Sequence, residues 1–161
     1  MNVLVTAIGS FSASAIIKSL RKDIRIKNIF GCDIYPKEWH NISKEFDEVF
    51  LAPKVIEEDK YFNFIIDICR KNNIKIIIPL TDIEVDFFNK HRNYFKHNNI
   101  ILTIANPVFL EVARNKQKLN EYSKKIKGLN VIKTYSFKEL NSNIHFPLIA
   151  KPINGRSSEG I

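Results

Sequence analysis

The sequence predicts an α/β domain built on a doubly wound, mostly parallel sheet. Three observations carry this reading. Short, almost wholly apolar runs recur along the chain, amphipathic segments of helical period separate them, and Gly or Pro marks many of their ends. Near-continuous apolar strands belong to sheets covered on both faces, and their alternation with helices requires right-handed parallel crossovers. Ligands on such sheets bind beyond the carboxyl ends of the strands, so the residues there are the first to ask about function.

The elements follow in order. Residues 2–7 (NVLVTA) form a β-branched run before Gly9, and residues 11–20 carry Phe11, Ala15, Ile16 and Leu20 at helical spacing. Residues 28–34 (NIFGCDI) read as a second strand closed by Tyr35-Pro36, and residues 47–52 (DEVFLA) as a third closed by Pro53. Residues 59–73 place Phe62, Ile65, Ile66 and Cys69 on one stripe. Residues 75–80 (KIIIPL) form a buried strand in which Pro79 must fall at the end, because it cannot donate to a ladder. Residues 84–96 are expected as one helix aligning Phe87, Phe88, His91 and Phe95, with His91 a satisfied core histidine. Residues 100–105 (IILTIA) form a fifth strand, and Pro107 opens one long helix that runs to about residue 127 and stops at Gly128. The texture then changes: residues 131–137 and 146–151 (FPLIAK) read as strands with no long helix between them.

The chain has 161 residues, 45% hydrophobic and 26% charged, enough to bury a core without disulfide or metal. Cys32 and Cys69 match no metal-ligand spacing and read as buried thiols of a reducing compartment. No leader peptide or membrane-length apolar run is visible, so a cytoplasmic location is expected. The net charge of +8 is uneven, with 15 Lys/Arg against 13 Asp/Glu in residues 1–110 and 10 against 4 in residues 111–161. A solvated lysine-rich face explains most of that excess. A polyphosphate site would also use it, whereas nucleic-acid binding lacks the aromatic-basic interleaving it needs.

Four segments could carry chemistry. The first strand runs into Gly9-Ser10-Phe11-Ser12, where small residues admit an anion to a helix N-terminus or simply cap that helix. A dinucleotide site with Asp33 on a ribose would need two more glycines, and bulky Phe11 stands where close approach is required. The fourth strand runs into Thr81-Asp82-Ile83-Glu84, two carboxylates that would face a substrate ammonium or hydroxyl, or else cap and favour the next helix. Lys116 lies about 40° from the Val112, Leu119 and Ile126 stripe of the long helix, which suits an anionic ligand or a snorkelling side chain. Finally, Lys151 closes an apolar strand and leads into Asn154-Gly155-Arg156-Ser157-Ser158-Glu159-Gly160, a loop whose N–H groups and hydroxyls suit phosphate oxygens. The remaining histidines share no spacing, and Trp39 and Phe50 are assigned to packing.

Together these features resemble the ATP-grasp superfamily, in particular the branch of the carbamoyl-phosphate synthase large subunit and related carboxylate–amine ligases. Residues 1–107 resemble its Rossmann-like pre-ATP-grasp domain, and residues 108–161 the beginning of the ATP-grasp domain. The resemblance implies ATP contacts from Lys116, Lys151, Gly155, Ser157, Ser158 and Gly160, and substrate contacts from Ser10, Ser12, Asp82 and Glu84. Asn115 departs from the acid the family commonly has before its nucleotide-contacting base. The implied cofactors are ATP and Mg²⁺, with the Mg²⁺ ligands and catalytic residues expected beyond Ile161, so that this chain alone is expected to be inactive. The implied partners are small carboxylates and amines, with a homodimer allowed and neither nucleic acid nor membrane involved. The competing reading is a non-catalytic nucleotide- or sugar-binding module using residues 9–14.

Overall fold

The computed structural model describes residues 1–140 and 146–154. It comprises two compact units, Met1–Ile104 and Ala105–Ile161.

The first unit is a five-stranded sheet in the order β3-β2-β1-β4-β5, with every pairing parallel. Its strands are β1 (Asn2–Thr6), β2 (Asn28–Asp33), β3 (Glu48–Leu51), β4 (Ile74–Pro79) and β5 (Ile101–Leu102). The chain builds outward from β1 to β3 and then returns to the other side of β1 with β4. The change of direction therefore falls between β1 and β4, where Thr6 pairs with Pro79, the last residue of its strand. Pro79 ends the strand as its missing N–H requires.

Alternation along β1 sorts its side chains between two cores. Leu4 joins Tyr61, Ile65, Ile77, Phe88 and Phe95 on the face covered by α2 (Glu58–Lys71), α3 (Asp82–Lys90) and α4 (Arg92–His97). Val3 and Val5 join Ile8, Ile17, Ile29 and Phe46 on the other face, under α1 (Ala13–Leu20). Val3, Leu4 and Val5 are wholly inaccessible to water. Each such side chain contributes roughly 1.5–3 kcal/mol of hydrophobic stabilisation. β2 carries Gly31 where Ile8 and Phe46 press closest, since a Cβ there would stand 3.0 Å from both side chains.

Two helices depart from the sequence expectation by breaking in the middle. The segment expected over 84–96 ends at His91, which closes α3 and opens α4. His91 joins the two helices at a partly buried position, where its ring packs on Phe62 and Phe87 and its Nε2 is satisfied 2.8 Å from Glu58 Oε1. The segment from Pro107 likewise splits into α5 (Pro107–Arg114) and α6 (Lys116–Lys124). Asn115 is extended (φ −110°, ψ 108°), and its side chain accepts the Lys118 N–H, capping α6. Asparagine competes for backbone donors in this way, which makes it a poor helix interior and a good cap. The continuous stripe through Val112, Leu119 and Ile126 does not exist as such.

The strands expected over 131–137 and 146–151 are not formed among the described residues, where only a 3₁₀ turn at Phe137–Glu139 is regular. A strand exists through its ladder, and residues 132–134 instead meet the α6 side chain Asn120, whose Nδ2 donates to Ile132 O and Thr134 Oγ1. No described residue of the second unit is buried. Hydrogen exchange should therefore divide the chain. Amides of β1 and β4 should open only with global unfolding, while those of α5 and α6 exchange orders of magnitude faster. Equal protection in both sets would contradict this assignment of the core.

Candidate functional site

The turn after β1 is organised by a carboxylate from β2. Asp33, buried at the end of its strand, accepts the Gly9 N–H on Oδ2 at 2.8 Å and the Tyr35 N–H on Oδ1 at 3.0 Å. His40 closes the group: its Nε2 is buried 3.4 Å from Asp33 Oδ1 and makes no hydrogen bond. Its ring also lies so close to Gly9 that a Cβ there would come within 2.8 Å of Cε1. Both Asp33 oxygens are thus engaged inside the protein, and neither is presented to a ribose. Ser10 and Ser12 follow on the surface with their hydroxyls 3.0 Å apart, and Ser12 begins α1 without capping it through its side chain. Phe11, between them, is fully exposed.

At the neighbouring strand end, Glu84 turns inward. Its carboxylate is buried and accepts hydrogen bonds from Tyr61 Oη at 2.7 Å and Thr81 Oγ1 at 2.8 Å. Thr81, not Asp82, occupies the cap position of α3, and its hydroxyl donates to Glu84 without accepting a backbone N–H of the helix. The Thr6 hydroxyl, wholly buried beside this pair, has no hydrogen bond of normal geometry. Burial pushes the Glu84 carboxyl above its ordinary value, outweighing the Tyr61 and Thr81 hydrogen bonds that favour its charge, and nearby Asp33 adds to the rise. Burial likewise raises the Tyr61 phenol. Asp82, two residues before Glu84, is exposed. The two carboxylates therefore do not act as a pair facing one crevice.

In the second unit, Lys116 is the first residue of α6, and it meets the segment after Lys151. Its backbone N–H donates to Ile153 O and its Nζ to Pro152 O, both at 3.0 Å. Lys151 itself is exposed. Gly155, Ser157, Ser158 and Gly160 lie outside the described residues.

Sequence reasoning missed Tyr61 and His40 as polar partners, because neither sits near Asp33 or Glu84 in the chain. A cavity of about 160 Å³ opens at the opposite end of the sheet, beside the start of β4, between Cys69, Arg70, Asn73, Tyr94 and Asn98. Burial pushes the Cys69 thiol up to about 12, so it is no nucleophile there. Among the described residues, no group of three or more His, Cys, Asp or Glu gathers to hold a metal ion. Nor is any described helix long and apolar enough to cross a membrane.

Removing the Tyr61 hydroxyl leaves a buried carboxylate oxygen without its donor, so Tyr61→Phe should cost about 1.5–3 kcal/mol in urea unfolding. Glu84 adds a pH dependence of known sign. Its folded-state value lies above the ordinary 4.5, so its contribution is complete below about pH 4.5 and is lost as pH rises through the folded-state value. Glu84→Gln should therefore gain stability relative to the wild type as pH climbs through that window. A difference between the two proteins that is flat with pH would contradict a buried, titrating Glu84.

Comparison with known proteins places this geometry. The chain resembles the biotin carboxylase domain of the 2-oxoglutarate carboxylase of Hydrogenobacter thermophilus, whose structure is a dimer with MgADP, ADP and bicarbonate. The TM-score is 0.53 at 18% identity over 77% of this chain and 27% of that one, a likeness of fold in which this chain spans about a quarter of the other's length. No curated protein is significantly similar in sequence. The family model for the PylC-like N-terminal domain matches residues 3–104, nearly the whole of the first unit. The chain belongs to the PylC-like N-terminal domain family, the pre-ATP-grasp domain of ATP-grasp enzymes.

Proposed function

We propose that this chain is the N-terminal portion of a cytoplasmic ATP-dependent ligase that joins a carboxylate to an amine, or makes a carbamoyl-phosphate-type product. Residues 108–161 are read as the opening of its ATP-grasp domain, after the pre-ATP-grasp residues 1–107. The observation that carries the reading is the pair of hydrogen bonds from Lys116 to the carbonyls of Pro152 and Ile153. They bring α6 to the segment that begins at Lys151, so two lysines far apart in sequence share one region of the second unit. A triphosphate is a ligand that two such cations suit, each as a point charge.

In this reading Lys116 and Lys151 hold the polyphosphate, and the loop of residues 155–160 covers it and keeps water from the activated substrate. Bound ATP, with Mg²⁺, would supply a phosphoryl group to the substrate carboxylate, and the amine would then displace phosphate. Ser10, half-buried, and Ser12 and Asp82, exposed, lie after the carboxyl ends of β1 and β4 and are the groups proposed to meet substrate. Glu84 serves the same region from inside, by fixing Thr81. The biotin carboxylase neighbour is a dimer with MgADP, which agrees with ATP, Mg²⁺ and a homodimer for this chain.

The test is ATP binding measured by calorimetry at low ionic strength. Binding by this chain is expected to be weak, and loss of one charge-assisted contact in Lys116→Ala or Lys151→Ala should weaken it about tenfold or more. ATP affinity unchanged in the double variant would defeat the proposal, as would no ATP binding at all.

A further inference from the structure

We propose that the exposed Tyr35–Trp39 stack is a platform for a flat aromatic ring carried by the carboxylate substrate. The inference rests on the reading above that the strand ends of the first unit receive that substrate, and it names the substrate's class as an aromatic carboxylate.

Trp39, the only tryptophan of the chain, is 72% exposed, although the sequence suggests no more than a packing role for it. It lies 5.6 Å from the Tyr35 ring at an interplanar angle of 17°, and neither residue belongs to either hydrophobic core. The pair nevertheless is anchored. The Tyr35 N–H is held by Asp33, the Trp39 N–H donates to Pro36 O, and His40 packs against Gly9. These contacts order the backbone that carries the two rings, near the carboxyl ends of the strands, where ligands of doubly wound sheets bind. Surface aromatics held this way contribute little to folding. A ring stacking on the indole would gain contact area against a surface already ordered, with little loss of side-chain freedom. In the turn after β1, Phe11 is fully exposed, and the Ser10–Ser12 hydroxyl pair keeps one donor for a carboxylate.

As the single tryptophan, Trp39 reports on its own occupancy. Phenylacetate should change its emission saturably, while acetate, with the same charge and no ring, should not. Calorimetric affinity for phenylacetate should fall about tenfold in Trp39→Ala and be largely kept in Trp39→Phe, both at a surface position that leaves the core intact. Lys151→Ala should leave the phenylacetate response unchanged while reducing ATP binding, so the two proposals fail separately. An equal response to acetate, a response that does not saturate, or unchanged affinity in Trp39→Ala would overturn the platform. Saturation by adenosine but not by phenylacetate would assign the stack to a nucleotide and overturn the substrate class.

Discussion

The carboxylate of Asp33 is the constraint on which the loops at the carboxyl end of this sheet depend. It sits at the end of β2 and ties down two backbone donors, Gly9 after β1 and Tyr35 after its own strand. Without it, two N–H groups in a partly buried turn would lose their acceptor, at a cost of about 1–3 kcal/mol each. The arrangement also explains why Gly9 must be glycine: His40 occupies the space a Cβ would need. One buried charge therefore sets the course of two loops. In dinucleotide-binding sheets an acid at this place is left for the cofactor, whereas here it serves the protein itself.

A second clamp stands one strand away. Glu84 reaches back from α3 to Tyr61 of α2 and to Thr81, tying the loop after β4 to the helix layer beneath it. The two clamps flank the change of direction between β1 and β4, the place where doubly wound sheets leave a crevice. Both use buried carboxylates, and both leave a buried polar atom without a hydrogen bond, His40 Nε2 in one and Thr6 Oγ1 in the other. The loops after β1 and β4 are thus tied to the interior of the domain by side chains of other elements.

Much of this was legible in the sequence, for physical reasons that can be named. Apolar runs such as Lys75-Ile76-Ile77-Ile78-Pro79 can only be buried strands, and all five strands and the parallel sheet follow from them. What escaped depends on competition between local and distant partners. In the sequence Asn115 stands out only as a departure from a family pattern, yet its capping of the Lys118 N–H divides one expected helix into two. Glu84 has the spacing of a second exposed acid beside Asp82, and only the three-dimensional position of Tyr61 turns it inward. Residues 131–137 have strand composition but no strand beside them among the described residues, and composition cannot supply a ladder. Trp39 is the converse case, a residue assigned to packing that packs almost nothing.

The most direct test of the account is the emission anisotropy of Trp39 in Asp33→Asn. An asparagine offers one oxygen and one NH₂ where aspartate offers two acceptors, so either Gly9 or Tyr35 loses its partner. The account predicts that the indole becomes more mobile and anisotropy falls, while the far-UV signal of the sheet is kept. Anisotropy equal to that of the wild type, with the fold intact, would show that Asp33 does not organise these loops.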